Sequence, residues 1–165
     1  IIEALLPYLD TDTLLIFSPV KDCEGTLRPA QEEIYRPIIK EAEEFWTRTA
    51  GADAEPVQLT WLDTENCISG NSQTAATKEI VANWIRSLDS WQLAALERAT
   101  MTAKPLIIGM NIATLQMSVE QASKATRLET IHQTDIWGEV EDTHDVDFHD
   151  MERSLSCAYI IASDC

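Results

Sequence analysis

Hydrophobic positions along this chain recur mostly at three- and four-residue steps, the period of a helix with one buried face. Between Pro29 and Thr49, the residues Ile34, Ile38, Ala42 and Trp46 form such a face, and Pro37 is placed to kink or restart the helix because it lacks a backbone donor. Ile80, Trp84 and Leu88 repeat the pattern within Thr74 to Leu88. Asp89-Ser90-Trp91-Gln92 and Ser118-Val119-Glu120-Gln121 both have the form of a capping box, so helices are expected over Trp91 to Thr102 and from Val119 to about Gln133. Pro105 to Met117 is nearly all apolar and reads as a buried helix, while Phe148, Met151, Leu155, Ala158 and Ala162 mark a last helix from about Asp145 to Ser163. At the other end, Ile2 to Tyr8 reads as a short apolar helix. The following Asp10-Thr11-Asp12-Thr13 supplies side-chain oxygens to cap a turn carrying Leu14, Leu15 and Ile16, where a strand would have no clear partner.

Loops are expected at Gly25, Gly51 to Pro56, Gly70-Asn71-Ser72 and Gly138, residue types that suit turn geometry. The pattern as a whole predicts an all-α (mainly α) fold: a compact bundle of about six or seven helices with at most one or two short strands, such as Val57 to Trp61. Its 165 residues suffice for one well-cored domain and not for two. A composition 45% hydrophobic and 24% charged supports a folded core rather than a disordered chain.

Charge narrows the partners. With 28 acidic against 12 basic residues, the net charge of -16 repels phosphate backbones and anionic lipid surfaces, so neither nucleic acid nor membrane insertion is expected. The apolar run at Pro105 to Met117 also falls short of the ~20 residues that span a bilayer. Cys23, Cys67, Cys157 and Cys165 are irregularly spaced, with no C-x-x-C pair, which predicts free thiols and neither a zinc knuckle nor a redox motif. The chain opens on Ile1-Ile2 rather than methionine, as expected of a piece of a longer protein.

The densest chemistry lies between Leu128 and Glu152, where nine acids accompany His132, His144 and His149 without a single lysine or arginine. Asp142, His144, Asp145 and His149 are the positions on which a metal-dependent hydrolase would have to be built, Asp145 and His149 standing one helical turn apart. The spacing matches neither H-E-x-x-H nor an EF-hand loop, and acids at a helix start more simply complement the helix dipole. With no nucleophile elbow and no phosphate-cradling loop in the sequence, no catalytic residue, metal or cofactor is assigned. Among the tryptophans, Trp46, Trp84 and Trp91 lie on periodic apolar faces and are expected in the core, and Trp137, before Gly138, is expected to plug a helix junction. On a helix running on from Val119, Glu129 stands beside Ala122, Ala125 and Thr126, small residues that let another backbone approach, so Glu129 is a candidate anchor for a partner protein.

Several of these segments, taken in order, resemble a known family. They are Tyr8-Leu9-Asp10-Thr11-Asp12-Thr13, the Gln31 to Trp46 helix with Tyr35-Arg36-Pro37-Ile38, Ser118 to Ala122, Arg127-Leu128-Glu129, and Ile136 to Asp142 with His144-Asp145. The set is similar to the mitochondrial (fungal-like) and alphaproteobacterial assembly chaperones for the alpha subunit of the F-type ATP synthase catalytic head. The resemblance implies a helical C-terminal domain whose β-rich N-terminal domain lies outside this chain. It also implies a non-enzymatic, monomeric protein of the mitochondrial matrix that binds unassembled alpha subunit and prevents its aggregation until the beta subunit replaces it. Carried over by position, the partner-binding residues would be Arg127, Glu129, Trp137, Glu139, Glu141 and Asp142, together with Gly138 in the same W-G-x-V-E segment. The segment around Glu129 reads Thr126-Arg127-Leu128-Glu129-Thr130 and lacks the family's usual serine and second glutamate, which leaves Glu129 without an acidic neighbour.

Overall fold

Helix-forming periodicity becomes helix along most of the chain. The computed structural model describes residues 1–51, 54–65, 70–139 and 144–164. Its helices are α1 (Ile2–Leu5), α2 (Pro7–Asp10), α3 (Leu27–Ala50), α4 (Ala75–Ser87), α5 (Ser90–Ala103), α6 (Leu106–Ala113), α7 (Val119–Thr126), α8 (Leu128–Trp137) and α9 (His144–Ser163). Two 3-10 turns, Thr13–Leu15 and Asp22–Gly25, and two short strands, β1 (Ile16–Phe17) and β2 (Leu62–Asp63), complete the described elements. Because α1 abuts α2 at Leu6 and α7 abuts α8 at Arg127, the nine segments group into seven helical stretches, and the fold is mainly α as expected.

Local chemistry sets the helix starts. Asp89 and Ser118 form reciprocal capping boxes with Gln92 and Gln121, and Thr74 accepts from the Thr77 amide to begin α4. α6 is buried at every position and forms the centre of the core. α5 and α9 lie against each other, and small residues on both, Ala95 and Ala99 on one and Ser154 and Ala158 on the other, are buried. Arg98 donates to the Ser154 hydroxyl (3.0 Å) across this contact. The C-terminal end of α5 and the first turns of α9 line one cavity, so the two helices run antiparallel.

The acidic motif near the start is a structural clamp. Asp12 is fully buried; one carboxylate oxygen accepts from Leu14 N (3.0 Å) and the other from Ile107 N (3.0 Å), so one side chain caps both the 3-10 turn and α6. Asp10 accepts from Gln73 N (2.8 Å) and from Lys78 Nζ (2.6 Å), tying α2 to the start of α4.

Several expectations are corrected. The segment Val57 to Trp61 is not a strand: three of its amides are satisfied by side chains, Val57 N by Thr47 (2.9 Å), Leu59 N by Glu43 (2.7 Å) and Thr60 N by Gln73 (2.9 Å). The sheet forms one step further on, where β2 pairs in parallel with β1, Ile16 opposite Leu62 and Phe17 opposite Asp63. Pro37 lies inside α3, which continues through it to Ala50 without restarting. The helix from Val119 does not reach Gln133: it ends at Thr126, and Arg127, at φ -96 and ψ 9, links it to α8. Trp46 and Trp84 are in the core, whereas Trp91 is 67% exposed. Trp91 lies four residues before Ala95 on the buried stripe of α5, but in the first turn, where no packed neighbour covers it. Cys23 and Cys157 are free thiols, and Cys67 and Cys165 lie outside the described residues.

Candidate functional site

The break at Arg127 decides where the candidate residues point. It places Glu129 in the first turn of α8, where the helix dipole favours an acid, rather than on a continuation of the helix that carries Ala122, Ala125 and Thr126. Glu129 is exposed, and its Oε1 accepts from Gln133 Nε2 (3.0 Å) one turn on. α8 is held from behind by Leu128, which is buried, and by a 3.2 Å hydrogen-bond contact between Thr26 Oγ1 and His132 Nδ1. Thr26 follows the Asp22–Gly25 turn, in which Cys23 (φ 47) and Glu24 (φ 57) adopt left-handed backbone. The turn of Lys21 to Gly25 therefore supports the helix that carries Glu129.

Glu129 lines a cavity of about 630 Å3 walled by α3, α5, α8 and α9, with Gln31, Tyr35, Lys104 and Met151 among its neighbours. An adjoining cavity of about 470 Å3 holds Arg98, Arg127, Asp147 and Asp150, and the two share Thr102, Lys104, Thr126, Thr130 and Met151. Together they form one open groove with charged and apolar lining. Burial pushes the Tyr35 phenol above its ordinary pKa, and the nearby carboxylates of Glu129 and Asp12 push it further, so the charge of Glu129 is felt at the groove floor. The Arg127 guanidinium lies 4.6 Å from the centre of the Phe148 ring, a cation–π contact joining the α7–α8 junction to α9.

Lys104 occupies the ridge between the two cavities with an unusual backbone. It terminates α5 at φ 81 and ψ -47, close to the rare positive-φ γ-turn, a conformation that costs a residue with a side chain ~1–3 kcal/mol. Pro105 follows and has no N–H to close the turn's hydrogen bond. The cause is the tight link between α5 and α6, which are joined by Lys104 and Pro105 alone.

The other candidates are scattered by comparison. Trp137 ends α8, about 12 Å along the helix from Glu129 at 1.5 Å per residue, and is 71% exposed, so it does not plug the junction. Gly138 follows at φ 85 and ψ 159, a positive-φ conformation that glycine adopts without strain, and Glu139 is exposed beyond it. Glu141 and Asp142 lie outside the described residues, as does the side chain of His144. Asp145 and His149 are exposed on α9, and among the described residues no group of three or more His, Cys, Asp or Glu side chains is arranged to hold a metal ion. No described helix is long and apolar enough to cross a membrane. The sequence pattern missed Arg98, Lys104 and Tyr35, which come from α5, its C-terminal cap and α3; only the Lys104-Pro105 link between two helices hinted at an unusual position.

Fold and groove together define a class, a mainly helical domain with an open, charged cleft between its third, fifth, eighth and ninth helices. The chain is 42% identical over 170 residues to Protein ATP12, mitochondrial, of Saccharomyces cerevisiae, which covers 96% of this chain and 52% of that protein. To Protein atp12, mitochondrial, of Schizosaccharomyces pombe it is 37% identical over 158 residues, covering 96% of this chain and 51% of the relative. This chain is therefore similar to the ATP12 proteins along nearly its whole length, and it spans about half the length of these curated relatives. Its fold matches the crystal structure of Atp12 from Paracoccus denitrificans with a TM-score of 0.81 at 18% identity, over 98% of this chain and 63% of that one. No protein-family model matches the chain.

Proposed function

We propose that this chain acts in a mitochondrial assembly chaperone for the F-type ATP synthase, binding the unassembled alpha subunit of the catalytic head and shielding it from aggregation until the beta subunit takes its place. It does so as a monomer in the matrix, by occupying surface, without a cofactor or a catalytic step. The likeness to the mitochondrial ATP12 proteins supports the assembly role. The observation that carries the binding reading is Glu129, an exposed acid at the mouth of a groove large enough for several side chains, making no ion pair among the described residues. Trp137, exposed on the same helix, fits the rim of such an interface, since aromatic side chains anchor protein contacts. Arg127 and Glu139 flank this surface, just before α8 and just beyond it.

Isolated alpha subunit is expected to be captured by the tagged chain, and isolated beta subunit is not. Glu129→Lys, at an exposed position, should leave the fold intact by circular dichroism and weaken alpha binding at least about tenfold, as expected when a charge within an interface is reversed. A folded Glu129→Lys chain that binds as tightly as the wild type would remove Glu129 from the interface.

A further inference from the structure

We propose that the groove running from Glu129 past Lys104 to Arg98 seats one extended segment of the bound polypeptide, with a basic side chain at Glu129 and a carboxylate at Lys104 and Arg98. The inference rests on the binding function proposed above and names what the groove reads. Glu129 and Lys104 line the same cavity without pairing, and among the described residues neither makes an ion pair elsewhere. Arg98 likewise bonds to a neutral hydroxyl, that of Ser154, and to no carboxylate among the described residues.

Lys104 adds an independent signal. Glycine would relax its positive-φ backbone, yet a lysine stands there and projects its charge onto the ridge between the two cavities. A side chain kept where it strains the backbone points to a use for that side chain. The far wall carries Asp147 and Asp150, the latter held by Arg153, which confines the site for a carboxylate to the α5 side. Opposite charges separated along one groove favour a segment bearing both signs; a polyanion would be repelled by Glu129, by Asp147 and by the net charge of -16. Hydroxyls of Thr102 and Thr130 on the shared wall are available to the peptide backbone of such a segment.

The test compares binding of isolated alpha subunit to the wild-type chain, Lys104→Glu, Lys104→Gly and Arg98→Gln. Lys104→Gly keeps the fold, because it relieves the strained backbone, and raises Tm by about 3 °C while weakening binding several-fold. Lys104→Glu weakens binding by more than about tenfold, and Arg98→Gln weakens it to a smaller extent. Wild-type binding matched by all three variants would overturn the groove assignment and leave the chaperone reading standing. No binding by the wild-type chain would overturn both.

Discussion

Gly109→Ala is expected to destabilise the domain by about 3 kcal/mol and to lower Tm by about 5–12 °C, even though alanine is the better helix former. Gly109 lies in the middle of α6, where α5 approaches so closely that an added Cβ would meet Thr100 Oγ1 at 2.1 Å, with Thr100 Cβ and its backbone nitrogen both at 3.2 Å. Rotating the threonine moves the hydroxyl but not the other two atoms, so the helices must separate. The gain of about 1 kcal/mol in helix propensity does not offset that displacement in a core packed to crystal density. Combining Gly109→Ala with Thr100→Ala should recover part of the loss, because it removes the nearest atom and a buried hydroxyl that has no hydrogen-bond partner. Full recovery is not expected while the backbone contact remains. Thermal and urea unfolding of the two variants measures both effects.

The second large effect is at Asp12. Burial raises its pKa from 3.8 to about 7, against the lowering influence of the backbone donors of Ile107, Leu14 and Leu106. A carboxyl whose folded pKa lies above its unfolded value holds its proton better in the native state. Its contribution to stability is fully present below about pH 4 and is lost as pH rises to about 7, by ~4 kcal/mol over the window at 1.36 kcal/mol per unit. Asp12→Asn removes this titration and sacrifices one of the two cap bonds. The wild type should therefore be the more stable protein at pH 5, and its advantage should shrink steadily toward pH 8. An Asn variant whose deficit is independent of pH would show that Asp12 does not titrate in this window. Asp12→Ala, which leaves Leu14 N and Ile107 N buried without acceptors, should cost about 2–5 kcal/mol at pH 5.

Features determined by neighbouring residues could be read from the sequence. The boxes at Asp89 and Ser118 involve side chains three residues apart, and the apolar run of α6 has nowhere to go but the core. The cap at Asp12 was legible in its local half, to Leu14, but not in its bond to Ile107, ninety-five positions away. The break between α7 and α8 had no glycine or proline to announce it. There, tertiary packing buries Ala122 and Ala125 against one set of neighbours and Leu128 against another, and one straight helix does not serve both. Periodicity put Trp91 on the correct stripe, but gave no indication that the stripe outruns its covering helices. The side-chain acceptors that hold Val57 to Trp61 come from α3 and from Gln73, distant partners that the local pattern of a strand could not reveal. In the candidate site, Glu129 was singled out by its helical spacing and by the family resemblance and Arg127 by the resemblance alone, whereas Arg98, Tyr35 and Lys104 join them only once four helices have packed.

The most direct test of the central claim is an aggregation measurement on the alpha subunit. Denatured alpha subunit is diluted into buffer with this chain, light scattering is followed, and beta subunit is then added. The account predicts that scattering is suppressed at about one chain per alpha subunit, that Glu129→Lys suppresses it poorly, and that added beta subunit releases the chain into the unbound fraction. Undiminished scattering at excess chain, or a chain that stays bound in the alpha–beta assembly, would contradict it.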